Sequence, residues 1–269
     1  MKILVTGHKG FIGQNLMNAL PKGWSAYTYD PLEEKLTRPK HLKIFQQIHD
    51  IDVVIHLGAI SSTTERNVEK LMDYNLAWSI ELAEICRERG ILLQFASSAS
   101  VYGKGNYIPM KEDHDCDPLN MYATSKYLFE QYLKLPMNKD LRWQAFRYFN
   151  VYGPHEKHKD QQASPFYQFA KQARETGVIK IFEGSDKYYR DFIHVDNVVE
   201  THIKMLQKND RGIFNVGTGN PRSFFEVARD IACVYDAKIE TILFPENLKD
   251  RYQIYTCANT TKLSMALHS

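Results

Sequence analysis

Apolar residues in this chain come in short unbroken runs that alternate with stretches where they recur every three or four positions. Residues 2–6, 25–29, 51–57, 91–95 and 143–148 are runs too short for helices, and we predict strands there. Between them, helical periodicity covers 14–20, 41–48, 73–89 and a segment containing Tyr122, while 31–40 is polar and irregular. Strands that alternate with helices predict an α/β fold built on a doubly wound parallel sheet. Further along, a helix is expected over 166–174 and a strand over 179–182. Residues 190–195 and 212–217 look buried, and the pattern turns short and mixed from Ile239 onward. We find no internal repeat and no low-complexity linker.

Ligands on such sheets bind beyond the carboxyl ends of the strands, so the residues placed there matter most. The first strand runs into Gly7-x-x-Gly10-x-x-Gly13 and a helix. Glycines at that spacing let the backbone turn tightly and approach a pyrophosphate, and the helix N-terminus adds partial positive charge. The plain alternative is a glycine-rich turn with no ligand. The second strand ends in Asp30, 17 residues after Gly13, near the place where an acid accepts from an adenosine ribose. A helix cap is the other use of such an aspartate. The third strand ends in Leu57-Gly58-Ala59-Ile60-Ser61-Ser62 and the fourth in Ser97-Ser98-Ala99-Ser100. Tyr122-x-x-x-Lys126 sets a phenol and an ammonium on one face of a helix. A phenol titrates near about 10 and needs a nearby positive charge to serve as a base at neutral pH. Ser98 could share the same substrate oxygen. Alone, this spacing reads as a solvated helix face; the agreement of four strand ends gives it weight.

Composition narrows the classes. A chain of 269 residues suffices for one large domain or a large and a small one, and 25% charged with 43% hydrophobic residues is ordinary for a globular protein. A formal charge of +2 without a dense Lys/Arg run argues against a nucleic-acid partner. Cys86, Cys116, Cys233 and Cys257 lack metal-ligand spacing, so no metal is expected, and scattered thiols suit a reducing cytoplasmic setting. The opening residues are too short in apolar length for a signal peptide. No apolar run approaches about 18 residues, so no membrane span is expected.

The motifs Gly7-x-x-Gly10-x-x-Gly13, Ser97-Ser98-Ala99-Ser100-Val101-Tyr102-Gly103, Tyr122-x-x-x-Lys126 and Arg147-Tyr148-Phe149-Asn150-Val151-Tyr152-Gly153-Pro154 resemble those of the extended short-chain dehydrogenase/reductase (SDR) superfamily. Those are Rossmann-fold nucleotide-sugar epimerases and dehydratases. Residues 190–195 and 214–219 extend the resemblance over nearly the whole chain. Within the superfamily, residues 58–65, 152–159, 182–185 and 248–253 resemble the ADP-L-glycero-D-manno-heptose 6-epimerases.

The resemblance implies a dinucleotide-binding domain over 1–151 and a smaller C-terminal substrate lobe over 152–269, interleaved with the sheet domain. It implies an isomerase with tightly bound NADP or NAD that oxidises a nucleotide-activated heptose transiently at C6 and returns the hydride to the opposite face. The alternative is another NAD(P)-dependent nucleotide-sugar epimerase, dehydratase or reductase. Tyr122, Lys126, Lys159 and Ser98 match catalytic positions, with Tyr122 and Lys159 on the two sides of the reacting carbon. Without the family motif, Lys159 reads as a surface lysine. Gly7, Gly10, Phe11, Ile12, Gly13, Asp30, Leu57, Gly58, Ala59, Ser61, Asn75, Tyr122, Lys126 and Val151 match cofactor contacts. Ser61, Ser62, Asn150, Phe182, Glu183, Gly184, Ser185, Arg190 and Tyr252 match substrate contacts; for Arg190 an internal salt bridge to Asp191 or Glu183 is the alternative. His194 reads as a core histidine. A homo-oligomer is implied as well.

Three departures stand out. Pro31 follows Asp30 and no Arg adjoins it, leaving NAD or NADP open, with Lys35, Arg38 or Lys40 able to reach a 2′-phosphate. Gln161 stands where these enzymes carry a small hydroxyl residue. The sequence stops soon after Lys262, and we expect the usual closing helix to be missing.

Overall fold

The unbroken apolar runs form a parallel sheet because its central strands are covered on both faces. The structure, a computed structural model, describes residues 1–30, 45, 48, 50–104, 108–245 and 253–269. Strands β1 (Lys2–Thr6), β2 (Ser25–Tyr29), β3 (Val53–His56), β4 (Leu92–Ser98), β5 (Trp143–Tyr148) and β10 (Gly212–Val216) pair in the order β10-β5-β4-β3-β1-β2, every pair parallel. The chain direction across the sheet reverses at β1, between β2 and β3. That is the switch point where such sheets open a ligand crevice.

Alternating residues divide the two faces. Leu4, Val54, Leu93, Phe95 and Ala145 pack with Trp78 and Leu82 of α3 (Trp78–Arg89) and Phe129 and Leu133 of α4 (Met121–Leu133). Ile3, Val5, Val53 and Ile55 face the other way, onto Phe11 and Leu16 of α1 (Phe11–Ala19) and Val195 and Val199 of α6 (Val195–Met205). Phe146, Phe214 and Val216 continue that second face against Leu263 and Ala266 of α8 (Thr261–His268). The short, mixed pattern beyond Ile239 did not predict this last helix.

Other differences have local causes. β4 runs on to Ser98, which lengthens the strand toward the site. The helix expected over 73–89 begins earlier, at α2 (Val68–Leu71), where the Asn67 side chain accepts from Lys70 N at 2.9 Å; a π-helical turn, Met72–Ala77, joins it to α3. The helix α6 was not anticipated; it starts on the residue directly after β9 (Phe192–His194), with no turn between them. Almost all of the helix expected over 41–48 lies outside the described residues.

The remaining elements form a second cluster. β6 (Asn150–Tyr152) pairs with β9, β7 (Val178–Phe182) with β12 (Lys238–Ile242), and β8 (Tyr189–Arg190) with β11 (Arg222–Ser223). α5 (Pro165–Thr176) and α7 (Phe224–Tyr235) close it through Phe169, Ala173, Val227, Ala228 and Ala232. The strand at 212–216 returns to the main sheet rather than to this cluster.

Candidate active site

The glycine-rich loop sits in the crevice at the switch point. Gly7 has φ +70°, and a Cβ there would lie 2.6 Å from the Gly58 Cα; one on Gly13 would lie 2.2 Å from the Gly7 carbonyl oxygen. Only glycine permits this packing of the β1 and β3 exits. Gly10 is the N-cap of α1, with no side-chain cap and no acid in the first turn, so the partial positive charge of this end is not offset locally. An open helix end behind a glycine cradle fits the pyrophosphate of a dinucleotide. Asp30 directly follows β2, and its charge raises the proton affinity of His8 in the loop while burial, the larger influence, lowers it.

The loop after β3 is tied down at several points. Gly58 N donates to Thr6 Oγ1 at 3.2 Å, and Thr6, His56 and Ser79 continue a buried chain of side-chain hydrogen bonds at 2.7 and 2.9 Å. Asn75, fully buried, accepts from Ile60 N at 2.8 Å and donates to Ile60 O at 3.0 Å and to Ser125 Oγ at 3.1 Å. Its amide therefore anchors the segment bearing Leu57, Gly58, Ala59 and Ser61 to α4. Ser61 is exposed, and Ser62 is half-buried with its hydroxyl 3.1 Å from Thr64 Oγ1. Ile12, Leu57 and Val151 pack together against the cluster that holds Ala96 and Tyr148, across the exits of β1, β3, β4 and β5.

Tyr122, Lys126 and Ser98 come together at the β4 exit. α4 starts where Asn120 caps Ala123 N at 2.9 Å, which sets Tyr122 in its first turn and Lys126 one turn on. The Lys126 ammonium is buried, donates to Ala96 O at 2.8 Å, and lies 4.5 Å from the Phe95 ring centre and 5.9 Å from that of Tyr122. Burial pulls its pKa down to about 7, against the opposing pull of Glu130. Burial raises the Tyr122 pKa, and the hydrogen bond between Tyr122 and Ser98 works the other way. Ser98 also caps the turn Ala99–Tyr102, its Oγ accepting from Ser100 N at 3.2 Å and Ser100 Oγ at 2.9 Å.

Lys159 approaches from the opposite face of the sheet. Its Nζ lies 5.0 Å from the ring centre of Phe11, the first residue of α1, and 3.9 Å from Glu156 Oε2. Glu156 is itself buried and accepts from Gly153 N at 3.0 Å, Ser164 N at 2.6 Å and Ser164 Oγ at 2.7 Å. Partial burial lowers the Lys159 pKa, with Glu156 opposing. The next residue, Asp160, has φ 46° and ψ −118°, a backbone state that favours glycine and costs a larger residue about 1–3 kcal/mol.

The second cluster holds the remaining candidates. Phe182, Glu183, Gly184 and Ser185 form the turn after β7, with Gly184 at φ +80° and Ser185 Oγ donating to Phe182 O at 2.6 Å. Asn150 pairs along β9, and its Oδ1 lies 3.5 Å from Thr256 Oγ1. Arg190 is buried, donates to Tyr189 O at 2.9 Å and lies 5.4 Å from the Phe224 ring centre. Asp191 is committed elsewhere: its carboxylate accepts from Thr218 N, Thr218 Oγ1, Gly219 N and Ala258 N at 2.6–2.9 Å. His194 is the N-cap of α6, accepting from Asp196 N at 3.3 Å. Tyr252, Lys35, Arg38 and Lys40 lie outside the described residues.

Two buried networks next to the site escaped sequence reading. Glu130 joins Arg147 and Ser97 one turn beyond Lys126; its only sequence signal is the spacing of four from Tyr122 to Lys126 to Glu130. Tyr148 shares a hydrogen bond with His202, whose Nδ1 lies 2.7 Å from Gln94 Oε1. Among the described residues no group of three or more His, Cys, Asp or Glu could hold a metal, all four cysteines are free thiols, and no helix is long and apolar enough to cross a membrane.

Residues 3–217 match the model of the NAD dependent epimerase/dehydratase family. An ADP-L-glycero-D-manno-heptose-6-epimerase of Brachyspira hyodysenteriae (strain ATCC 49526 / WA1) is 37% identical over 289 residues, covering 98% of this chain and 91% of the relative. The crystal structure of a Helicobacter pylori ADP-L-glycero-D-manno-heptose-6-epimerase superposes with a TM-score of 0.85 at 27% identity, covering 99% of this chain and 90% of that one. A UDP-N-acetylglucosamine 4-epimerase from Methanobrevibacter ruminantium M1, in complex with UDP-N-acetylmuramic acid, superposes with a TM-score of 0.88 at 25% identity, covering 100% and 92%.

Proposed function

The chain belongs to the NAD dependent epimerase/dehydratase family, and on that premise we propose that it inverts C6 of ADP-D-glycero-D-manno-heptose to give the L-glycero epimer. The observation that carries this reading is 37% identity across 98% of the chain to a relative bearing that activity in its name. The placement of Tyr122 on α4 and of Lys159 beside Phe11 of α1, two helices that cover opposite sheet faces, supports it.

Bound NAD(P) supplies a reversible hydride acceptor. Gly7, Gly10, Gly13 and the end of α1 hold its pyrophosphate, and Asp30 receives the adenosine ribose. Phe11, Ile12, Leu57, Gly58, Ala59, Ser61 and Val151 surround the rest, with Asn75 fixing the loop. Lys126 binds the nicotinamide ribose and lends its charge to Tyr122. Tyr122 then takes the proton of the sugar hydroxyl at C6, with Ser98 hydrogen-bonded to the same oxygen. A 6-keto sugar has a planar carbon, so either face can be reduced. When the second face is presented, Lys159 returns a proton to the oxygen from the other side, which its lowered proton affinity favours. Ser61, Ser62, Asn150, Phe182, Glu183, Gly184, Ser185, Arg190 and Tyr252 hold the nucleotide sugar, and the planar fork of Arg190 suits a diphosphate. The same reading makes the protein a cytoplasmic homo-oligomer, with a 1–151 cofactor domain and a 152–269 substrate lobe that interleaves with the sheet domain through α6, β10 and α8.

A second reading is another nucleotide-sugar enzyme on this scaffold. The TM-score of 0.88 to the UDP-N-acetylglucosamine 4-epimerase favours it, as does Gln161. The test incubates purified protein with ADP-D-glycero-D-manno-heptose and follows the C6 proton by NMR, beside UDP-, GDP- and dTDP-sugars. Inversion of the ADP-heptose supports the first reading. Turnover of a UDP-sugar alone supports the second.

A further inference from the structure

We propose that Glu130, held in place by Arg147 and Ser97, is a positioning residue that keeps Lys126 charged beside Tyr122. This rests on the acid–base roles given above to Tyr122 and Lys126.

Tyr122, Lys126 and Glu130 recur every four residues along α4 and so form one stripe. The Glu130 carboxylate is fully buried. Its Oε1 accepts from Ser97 Oγ at 2.5 Å and Arg147 Nε at 2.9 Å, and its Oε2 from Arg147 Nη2 at 2.6 Å. Three hydrogen bonds, two of them from the one Arg147 guanidinium, and the 2.6 Å ion pair fix this carboxylate in place. Stability alone gives little reason for such a pair, because a buried ion pair is often matched or bettered by apolar residues of the same volume. What the pair adds is a fixed charge pattern one turn from the site.

Lys126 has need of it. A buried ammonium loses its proton readily unless an anion lies near it. Lys126 Nζ donates to Ala96 O and Glu130 accepts from the next residue of β4, Ser97, so the two side chains reach that strand side by side, and the Glu130 charge opposes the effect of burial on Lys126. From β4 the ammonium meets only the Phe95 ring and the Ala96 carbonyl, with the His56 imidazole 5.9 Å beyond Phe95 between ring centres. The π-helical turn packed on α4 contributes the neutral Asn75 amide, bound to Ser125. From β5, Arg147 faces Glu130 and also lies 4.6 Å from the Tyr102 ring centre. The geometry has a direct consequence. A carboxylate in contact with the Lys126 ammonium would draw it away from Tyr122. A carboxylate one turn farther on, with its lone pairs occupied by Arg147 and Ser97, supports the charge and leaves the side chain where it is.

The experiment reads Lys126 itself, in protein labelled at the lysine Cε with carbon-13, by NMR titration. Loss of a resonance in Lys126→Met assigns the signal. Glu130→Gln is expected to lower the Lys126 midpoint by about one to three pH units, and Glu130→Asp to restore most of it. The alkaline limb of kcat/KM for the ADP-heptose is expected to move by the same amount. If Glu130→Gln does not fold, the double variant Glu130→Gln/Arg147→Met removes both charges while keeping volume, and it too must lower the midpoint. An unchanged midpoint in the folded variant overturns the proposal. A shifted midpoint in a protein that turns over no ADP-heptose supports it and sinks the substrate assignment instead.

Discussion

Replacing Lys159 with alanine separates chemistry from architecture, because the structure bounds what the side chain contributes to the fold. Its ammonium stands 3.9 Å from Glu156 and is 25% exposed, a contact worth at most about 1 kcal/mol. Its position 5.0 Å from the Phe11 ring centre is worth about 0.5–1 kcal/mol more. Glu156 is not orphaned by the change, since Gly153 N, Ser164 N and Ser164 Oγ still donate to it. The fold should therefore lose about 1–2 kcal/mol, or about 2–8 °C in Tm for a chain of this size. An acid–base group is worth about 10²- to 10⁴-fold in rate, or about 3–5 kcal/mol of barrier. Thermal unfolding, dinucleotide titration and NMR-monitored inversion of ADP-heptose read the three quantities in one preparation. We expect a modest Tm loss, near-normal cofactor affinity and inversion reduced at least 100-fold. Inversion near the wild-type rate, or a loss of cofactor affinity as large as the loss of inversion, would refute the assigned role.

Three further outcomes follow from particular contacts. The folded pKa of Lys126 lies near 7, below its ordinary 10.5, so the unfolded chain carries the extra proton between those values and this site's share of stability rises with pH across that window. At pH 7 and below the buried ammonium is a full burden; Lys126→Met should raise Tm at pH 6 by several degrees while abolishing turnover, and a lower Tm would count against this. A Cβ at residue 13 would meet Gly7 O at 2.2 Å and His8 Cα at 2.7 Å, so Gly13→Ala should weaken dinucleotide binding by tenfold or more in a fluorescence titration, and unchanged affinity would show the cradle is misassigned. His202, held near pKa 3 by burial, stays neutral while the unfolded chain takes up a proton below about 6.5; stability should fall by up to about 1.4 kcal/mol per pH unit from pH 6.5 toward 3, and His202→Gln should remove that slope in urea titrations.

The parts legible in the sequence were those governed by short-range pattern. The runs at Ile3–Val5, Val53–Ile55 and Phe95–Ala96 are apolar on both faces and could only be interior strands. The glycine cradle was legible because its steric demand leaves no other residue at Gly7 or Gly13. What went unread was set by distant partners. The return of β10 to the edge of the main sheet depends on pairing with β5 about seventy positions earlier, which no local window records. Helix α6 starts on the residue after β9, with His194 as its cap, so the strand pattern runs into it unmarked. Helix α7 did carry a signal, the capping box of Ser223 and Glu226, that went unused. At the site, Tyr122 and Lys126 were visible from spacing, whereas Glu130 gains meaning only from Arg147 and Ser97 on neighbouring strands.

The most direct test of hydride return uses ADP-D-glycero-D-manno-heptose carrying deuterium at C6. If the hydride leaves one face and the same one comes back on the other, the L-glycero product forms in ordinary water with its deuterium kept at C6. Product that has exchanged that deuterium for solvent hydrogen, or recovery of the substrate uninverted by cofactor-loaded protein, would contradict it.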